Sequence, residues 1–184
     1  MKITETALPE VLLIETDSYP DERGHFRELW NRLRYLEHGF DVSFVQDNLS
    51  FSKANVLRGL HFQNPQGQGK LVSAVQGEIF DVAVDIRPDS PHYQRWIGVS
   101  LSDQNCQQLY IPPGFAHGFC AMSETAYVSY KCTTHYSALA EHCIRWDDPQ
   151  LAIQWPVANP IVSEKDTKGH LLENLPEDAV PFCN

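Results

Sequence analysis

The feature that most restricts this chain is its punctuation. From Val11 to Trp155, short runs rich in Val, Ile, Phe and Tyr alternate with Gly, Pro, Asn and Asp. Branched and aromatic side chains suit a pleated, half-buried surface, and the interrupting residues supply the backbone angles of turns. Many short strands follow, and with them an all-β sandwich or barrel. The clearest strand is Ile79 to Ile86, where Phe80, Val82, Val84 and Ile86 alternate with Asp81, Ala83 and Asp85. One face is therefore large and apolar, while the other is small or acidic and looks onto solvent or a polar cavity. Gln76-Gly77 reads as a hairpin turn and Pro88-Asp89-Ser90-Pro91 as a loop. Further strands are expected at Val56 to Gln63, Lys70 to Val75, Trp96 to Leu101, Gln108 to Ile111, His117 to Met122 and Thr125 to Thr133. One helix is expected, Asn31 to His38, with Asn31 as its cap, Gly39 as its stop and Leu33 and Leu36 turned inward. Past Trp155 the chain turns polar and Pro-containing, and reads as short helical turns or loop packed back on the strands.

A length of 184 residues fits one domain spanning 1–184, with a barrel core at about 40–145 and the terminal segments packed on it. One active site is the corresponding expectation. The formal net charge of -10 argues against a nucleic-acid partner, whose phosphates call for a basic surface. Lys2, Glu5, Glu10, Glu15 and Asp17 interrupt the first stretch, so neither a signal peptide nor a membrane segment is read there and a cytoplasmic setting is expected. Cys106, Cys120, Cys132, Cys143 and Cys183 are odd in number and lack CxxC or zinc-ribbon spacing, which points to free thiols.

Several polar residues interrupt strand-like runs where a core would take apolar ones. They are Arg58 and His61 in Val-Leu-Arg-Gly-Leu-His-Phe-Gln, Lys70 before Leu-Val, and Tyr130-Lys131. Singly, each is read most simply as a satisfied hydrogen-bonding group; as a set they line a pocket. Gly59-Leu60-His61-Phe62-Gln63 and the Pro-x-Gly-x-x-His run Pro112-Pro113-Gly114-Phe115-Ala116-His117 resemble the two cupin motifs. Metal-binding cupins use His-x-His, then Glu, then the second-motif His. Here Gln63 replaces the second His, and Gly67 and Gln68 stand where Glu is expected, a poor donor set for a divalent ion. No metal is expected at that site. His61 is left free for acid–base work, since an imidazole titrates near neutrality and a carboxylate can orient it.

From Asp21-Glu22-Arg23-Gly24 to Ser163-Glu164-Lys165-Asp166 the chain resembles the dTDP-4-dehydrorhamnose 3,5-epimerases almost continuously. The motifs include Phe26-Arg27-Glu28, Phe44-Val45-Gln46-Asp47-Asn48, Val56 to Gln63, Lys70-Leu71-Val72, Phe80 to Arg87 and Ile111 to Phe119. The resemblance implies a cupin or jelly-roll fold with a few short helices. The implied substrate is a dTDP-linked 4-keto-6-deoxy hexose, inverted at C3 and C5 with no cofactor, in dTDP-L-rhamnose biosynthesis. It implies His61 as base with Asp166 as its partner, Tyr130 as acid and Lys70 as donor to the enolate oxygen. Ligand contacts carry over to Arg23, Glu28, Gln46, Asn48, Arg58, His117, Glu141 and Lys165, with Arg23 and Arg58 on the diphosphate. A homodimer is also implied, in which Tyr19 or Phe26 would cover the partner's nucleotide base. Two positions depart from the family pattern: His135-Tyr136 stands for a frequent Tyr-Tyr pair, and Ser73 for a frequent Arg. Inversion at a single carbon, a non-catalytic sugar-nucleotide-binding cupin and a metal-dependent cupin isomerase or dioxygenase are the alternatives.

Overall fold

The computed structural model describes residues 1–182, so Cys183 lies outside the described residues. It contains β1 (Lys2–Glu5), β2 (Leu12–Glu15), β3 (Ser18–Asp21), β4 (Gly24–Arg27), α1 (Arg32–Glu37), β5 (Gln46–Lys53), β6 (Val56–Gln63), β7 (Lys70–Gln76) and β8 (Glu78–Asp85). These are followed by β9 (Trp96–Ser102), β10 (Gln107–Ile111), β11 (Phe115–Ala121), β12 (Thr125–Cys132), β13 (Glu141–Cys143), β14 (Ile161–Val162), α2 (Glu164–Thr167) and two single-turn 3₁₀ helices. One six-stranded sheet runs β1-β2-β10-β7-β12-β5, and the facing six-stranded sheet runs β13-β6-β11-β8-β9 with β14 added beside β6. This is the β-sandwich expected from the strand pattern, in the cupin-like form that the resemblance implied. The β3–β4 hairpin forms a separate two-stranded sheet.

The sheets face each other across a core that includes Val72, Ala74, Ile79, Ala83, Ile97, Leu101, Leu109, Phe119, Ala126 and Val128, contributed by strands of both. Strand alternation sorts β8 between two cores. Ile79 and Ala83 join the core between the sheets, whereas Val82, Val84 and Ile86 face outward and are covered by Leu151, Leu172 and Ala179 from the C-terminal third. The acidic face of β8, with Asp81 and Asp85 fully buried, thus points into the molecule.

Two expectations are corrected. Gln76-Gly77 is not a hairpin turn: β7 and β8 belong to opposite sheets, and Gly77 carries the chain across between them. Its φ is +78° and an added Cβ would lie 2.2 Å from the Thr125 carbonyl oxygen, so glycine fits where turn and close contact coincide. On α1, capped by Asn31 Oδ1 accepting from the Leu33 and Arg34 amides, Leu33 and Leu36 turn outward and are 72% and 44% exposed. The buried residue is Tyr35, packed among Trp30 and Phe40 with its hydroxyl donating to Gln108 Oε1 at 2.5 Å. At about 100° per residue, a helix this short with Tyr35 inward must present Leu33 to solvent.

Behind Trp155 the chain docks on the second sheet. β14 pairs with β6 in parallel (Ile161 with Val56, Val162 with Leu57), and Ile144 bridges to His170. The buried Asp148 carboxylate accepts from the amides of Gln150, Leu151 and Leu172 at 2.8, 3.1 and 2.7 Å, tying the segment after α2 to the loop before it. Among the described residues no helix is long and apolar enough to cross a membrane. Asp148→Ala would leave these amides unpaired in an apolar setting. It is expected to cost about 2–4 kcal/mol, read as a lowered midpoint in urea unfolding.

Candidate active site

The site arises where core-facing positions change from apolar to polar along the strands. On β12, Ala126 and Val128 face the core and Tyr130 continues the same face; on β7, Ala74 and Val72 are followed by Lys70. From the opposite sheet, β6 supplies His61 and β11 supplies His117, which lie directly opposite each other in the ladder. These four side chains and Arg58, Gln68, Phe119, Tyr136, Glu141, Lys165 and Asp166 line one cavity of about 550 Å³.

Asp166 sits on α2, whose Ser163 cap accepts from the Asp166 amide at 3.1 Å. Its Oδ1 lies 2.7 Å from His61 Nε2 and its Oδ2 accepts from the Gly59 amide at 3.3 Å. Burial pushes the Asp166 carboxyl up, but the His61 contact, the Gly59 amide and Ser163 outweigh it and hold it below its ordinary range. An ionised carboxylate only accepts, so the hydrogen bond between them is donated by His61 Nε2–H, and Nδ1 is the ring nitrogen left outside this pair.

A second pair lies deeper. His117 Nε2 is 2.7 Å from Asp81 Oδ1, both residues are buried, and Asp81 Oδ2 has no hydrogen-bond partner among the described residues. Burial drives the His117 pKa down against the opposing pull of Asp81, so the ring is neutral at pH 7 and donates Nε2–H. Lys70 is buried and donates a long hydrogen bond to the His61 carbonyl at 3.4 Å. Burial lowers its pKa, opposed by Cys132 and by the Asp81 and Glu141 carboxylates. Burial raises the Tyr130 pKa, with Arg58 opposing, and keeps the phenol protonated through the neutral range. At the rim Glu141 accepts from Tyr136 Oη at 2.8 Å and pairs with Lys165, which ties the α2 end to β13. Arg58 is exposed at the cavity, anchored by Nε to Ser52 Oγ at 3.0 Å and by Nη2 to the Phe51 carbonyl at 2.8 Å.

Of the twelve residues singled out in the sequence, eight line the cavity: His61, Lys70, Tyr130, Asp166, Arg58, His117, Glu141 and Lys165. Gln46 and Asn48 lie on β5 opposite Cys132 and Tyr130 but outside the lining, bonded to each other at 2.9 Å. Arg23 is 89% exposed on the β3–β4 hairpin, paired with Asp21, and Glu28 pairs with Arg34 at a separate small cleft. The Ser73 departure does not reach the cavity: its side chain is buried on the far face of β7, accepting from Gln108 Nε2 at 2.8 Å. Asp81 and Tyr136 were not singled out as site residues. The acidic position in an apolar strand was the available signal for Asp81; for Tyr136 it was the place of His135-Tyr136 at the family's Tyr-Tyr pair, although its contact depends on where Glu141 falls.

The cupin metal quartet fails on its own donors. Gln63 is buried, with Oε1 accepting from the Ser137 amide and Nε2 donating to the Gln66 and His135 carbonyls, while His61 and His117 give Nε2 to separate carboxylates. Those residues do not fit a divalent ion in the cupin manner.

The sandwich and its convergent polar pocket place the chain among the cupin-fold enzymes. The sequence profile described as dTDP-4-dehydrorhamnose 3,5-epimerase matches residues 5–174. The chain is 50% identical over 171 residues to the dTDP-4-dehydrorhamnose 3,5-epimerase of Shigella flexneri, covering 92% of this chain and 94% of that one. It is 48% identical over 178 residues to the enzyme of the same name from Methanothermobacter thermautotrophicus, covering 95% and 96%. Among solved structures, the dTDP-6-deoxy-D-glucose-3,5-epimerase of Legionella pneumophila, in complex with dTDP-4-keto-L-rhamnose, superposes with a TM-score of 0.95 at 47% identity over 100% of this chain and 98% of that one. The chain belongs to the dTDP-4-dehydrorhamnose 3,5-epimerase family.

Gly59 sets how closely β6 and β11 approach beside the site. Its φ is +131°, and an added Cβ would meet Gly118 Cα at 2.5 Å and the His117 carbonyl oxygen at 2.9 Å, both backbone atoms. Gly59→Ala is expected to cost about 2–4 kcal/mol and to displace both cavity histidines. Thermal unfolding and turnover of the purified variant test this together, and wild-type values for both would contradict it.

Proposed function

We propose that the chain inverts C3 and C5 of dTDP-4-dehydro-6-deoxy-D-glucose to give dTDP-4-dehydro-L-rhamnose, in dTDP-L-rhamnose biosynthesis. Membership of the family and the substrate-related sugar bound by the Legionella relative support the substrate class. The observation that carries the mechanism is the arrangement of donors. His61, with Asp166, enters the cavity from one sheet, and Tyr130 enters from the other. Inversion requires groups on both faces of the sugar ring, and the two sheets supply them.

His61 Nδ1 takes the proton from the carbon beside the ketone, and the electron pair moves into the carbonyl to form an enolate. No redox or metal cofactor is required for that step, because the 4-keto group itself accepts the pair. Asp166 stabilises the imidazolium through Nε2–H. Lys70 donates to the enolate oxygen, where a placed cation contributes on the order of 3 kcal/mol. Tyr130 then protonates the same carbon from the opposite face, and exchange with solvent returns His61 and Tyr130 to their starting states. Arg58 holds the diphosphate at the cavity mouth, and His117, Glu141 and Lys165 contact the substrate.

Arg23, Glu28, Gln46 and Asn48 complete the substrate contacts in a homodimer. The β3–β4 hairpin supports this, since it pairs with no other strand and exposes Tyr19 and Phe26, whose rings lie 6.4 Å apart. Extended into a second copy, it would bring Arg23 to the diphosphate and an aromatic ring to the base.

Proton NMR in heavy water, following the C3 and C5 signals of dTDP-4-keto-6-deoxyglucose, tests the assignment. The native enzyme should exchange both positions. His61→Ala should abolish exchange at both, and Tyr130→Phe should exchange without inverting; wild-type turnover in either variant would overturn the roles. Exchange at one carbon would make the chain a mono-epimerase, and none would favour a binding protein.

The pH profile separates Lys70 from Tyr130. Since Lys70 must be charged and burial lowers its pKa below 10.5, activity should fall as pH rises through that lowered value, while Tyr130, raised above 10.0, is still protonated. The alkaline limb of exchange should therefore persist in Tyr130→Phe and move to higher pH in Lys70→Arg.

A further inference from the structure

We propose that His61, Cys143 and Asp166 form a binding site for a thiophilic divalent cation, Zn²⁺ or Cd²⁺, whose occupation stops the enzyme. Antiparallel pairing of β13 with β6 sets Cys143 opposite His61, and the Cys143 sulfur lies 3.9 Å from Asp166 Oδ1. A ring nitrogen of His61, Cys143 Sγ and a carboxylate oxygen of Asp166 all lie within 4.8 Å of one another. Tetrahedral zinc with nitrogen, sulfur and oxygen ligands needs ligand separations of about 3.3–3.6 Å, from bond lengths of about 2.0–2.3 Å. The 2.7 Å imidazole–carboxylate contact must therefore open and the 3.9 Å sulfur–carboxylate separation close, each by under about 1 Å, while rotation of the Cys143 and His61 side chains brings the sulfur and the ring nitrogen, within 4.8 Å of each other, to about the same spacing. Gly169 leaves the sulfur room, because a Cβ there would lie 3.0 Å from Sγ. His61 and Asp166 line the open cavity, which admits the ion and supplies water as the fourth ligand. This set shares only His61 with the failed cupin quartet, and it contains a thiolate and an imidazole, the donors that zinc and cadmium prefer.

The protons balance as follows. The cation bonds to His61 Nε2, and the ring proton moves to Nδ1; the carboxylate is already ionised; the Cys143 thiol loses its proton to solvent. One proton is released per ion bound. The shift to Nδ1 fills the lone pair that takes the substrate proton, so inhibition rests on His61 being the base, whereas binding does not. Without a metal the thiol is inert, because burial and the nearby Asp166 push its pKa up to about 12. Asp166 and Glu141 face it as anions and Lys165 as a cation, so the site carries a net negative field that favours a divalent ion over a bare thiolate.

The test uses the whole protein and Cd²⁺, read in two ways. Titration should produce a thiolate-to-cadmium ultraviolet band saturating at one equivalent, which Cys143→Ala and Cys143→Ser both remove while Cys106, Cys120, Cys132 and Cys183 remain. Dissociation should tighten about tenfold per pH unit between pH 6 and 8, as release of one proton requires. Turnover should fall at least about tenfold at saturation and return on chelation. Each variant, measured relative to its own metal-free rate, should need at least about tenfold more Cd²⁺. Absence of the band in the native protein, an equal band in both variants, or equal sensitivity of the variants would overturn the proposal. If the metal-free enzyme turned over no dTDP-sugar, the functional reading would fail while the absorbance titration still decided the site.

Discussion

A buried carboxylate that must not stand alone organises this molecule. Asp166 is placed 105 positions after its imidazole partner and sits in a short helix with little stability of its own, so its position has to come from what surrounds it. β14 adds a parallel strand to β6, Ile144 bridges to His170, and Asp148 gathers the Leu172 amide. The apolar side chains of this C-terminal segment in turn cover Val82, Val84 and Ile86 on the outer face of β8. Burial of one sheet face and completion of the His61–Asp166 pair are thus a single packing event. Breaking the pair would leave a charge unpaired within the protein, which is why the segment and the sheet are expected to hold together.

The second organising feature is the gradient along the inner faces of the strands. At one end the two sheets close on Val72, Leu109, Phe119 and Val128; further along, the same faces carry Lys70, His117 and Tyr130. Charge is admitted here only where an opposite field accompanies it. Lys70 lies in the field of Asp81 and Glu141, and His117 is hydrogen-bonded to Asp81. The arrangement gathers a phenol, an imidazole and an ammonium around one cavity, where burial raises the proton affinity of Tyr130 and lowers that of Lys70. Removing the cupin metal ligands and engaging Gln63 with backbone partners is consistent with that use of the space.

Much of the sandwich was legible because strand alternation is a local property. β6 occupies the span read from the sequence, and β7 through β12 lie within one or two residues of theirs, because Gly, Pro and branched residues mark pleats and breaks without reference to the rest of the chain. The eight cavity residues were legible partly from polar interruptions in apolar strands and partly from long family motifs. β1 to β5, β13 and the docking strand β14 were not distinguished, since they are short or polar and acquire their partners only in the folded protein. The inward turn expected for Leu33 and Leu36 failed for a related reason: one aromatic cluster, not helical periodicity, selects the buried face of a six-residue helix.

Residue type and local pattern alone therefore establish the all-β class, the positions of the main strands, the missing cupin ligands and the family. They also place His61, Lys70 and Tyr130 on strands. Tertiary structure decides which residues share a cavity. It brings Asp166 and Cys143 to His61 and pairs Asp81 with His117. It sends Ser73 away from the site and leaves Arg23 and Glu28 outside it. Those contacts join positions far apart along the chain, and no local pattern encodes a distance that only the closure of two sheets creates.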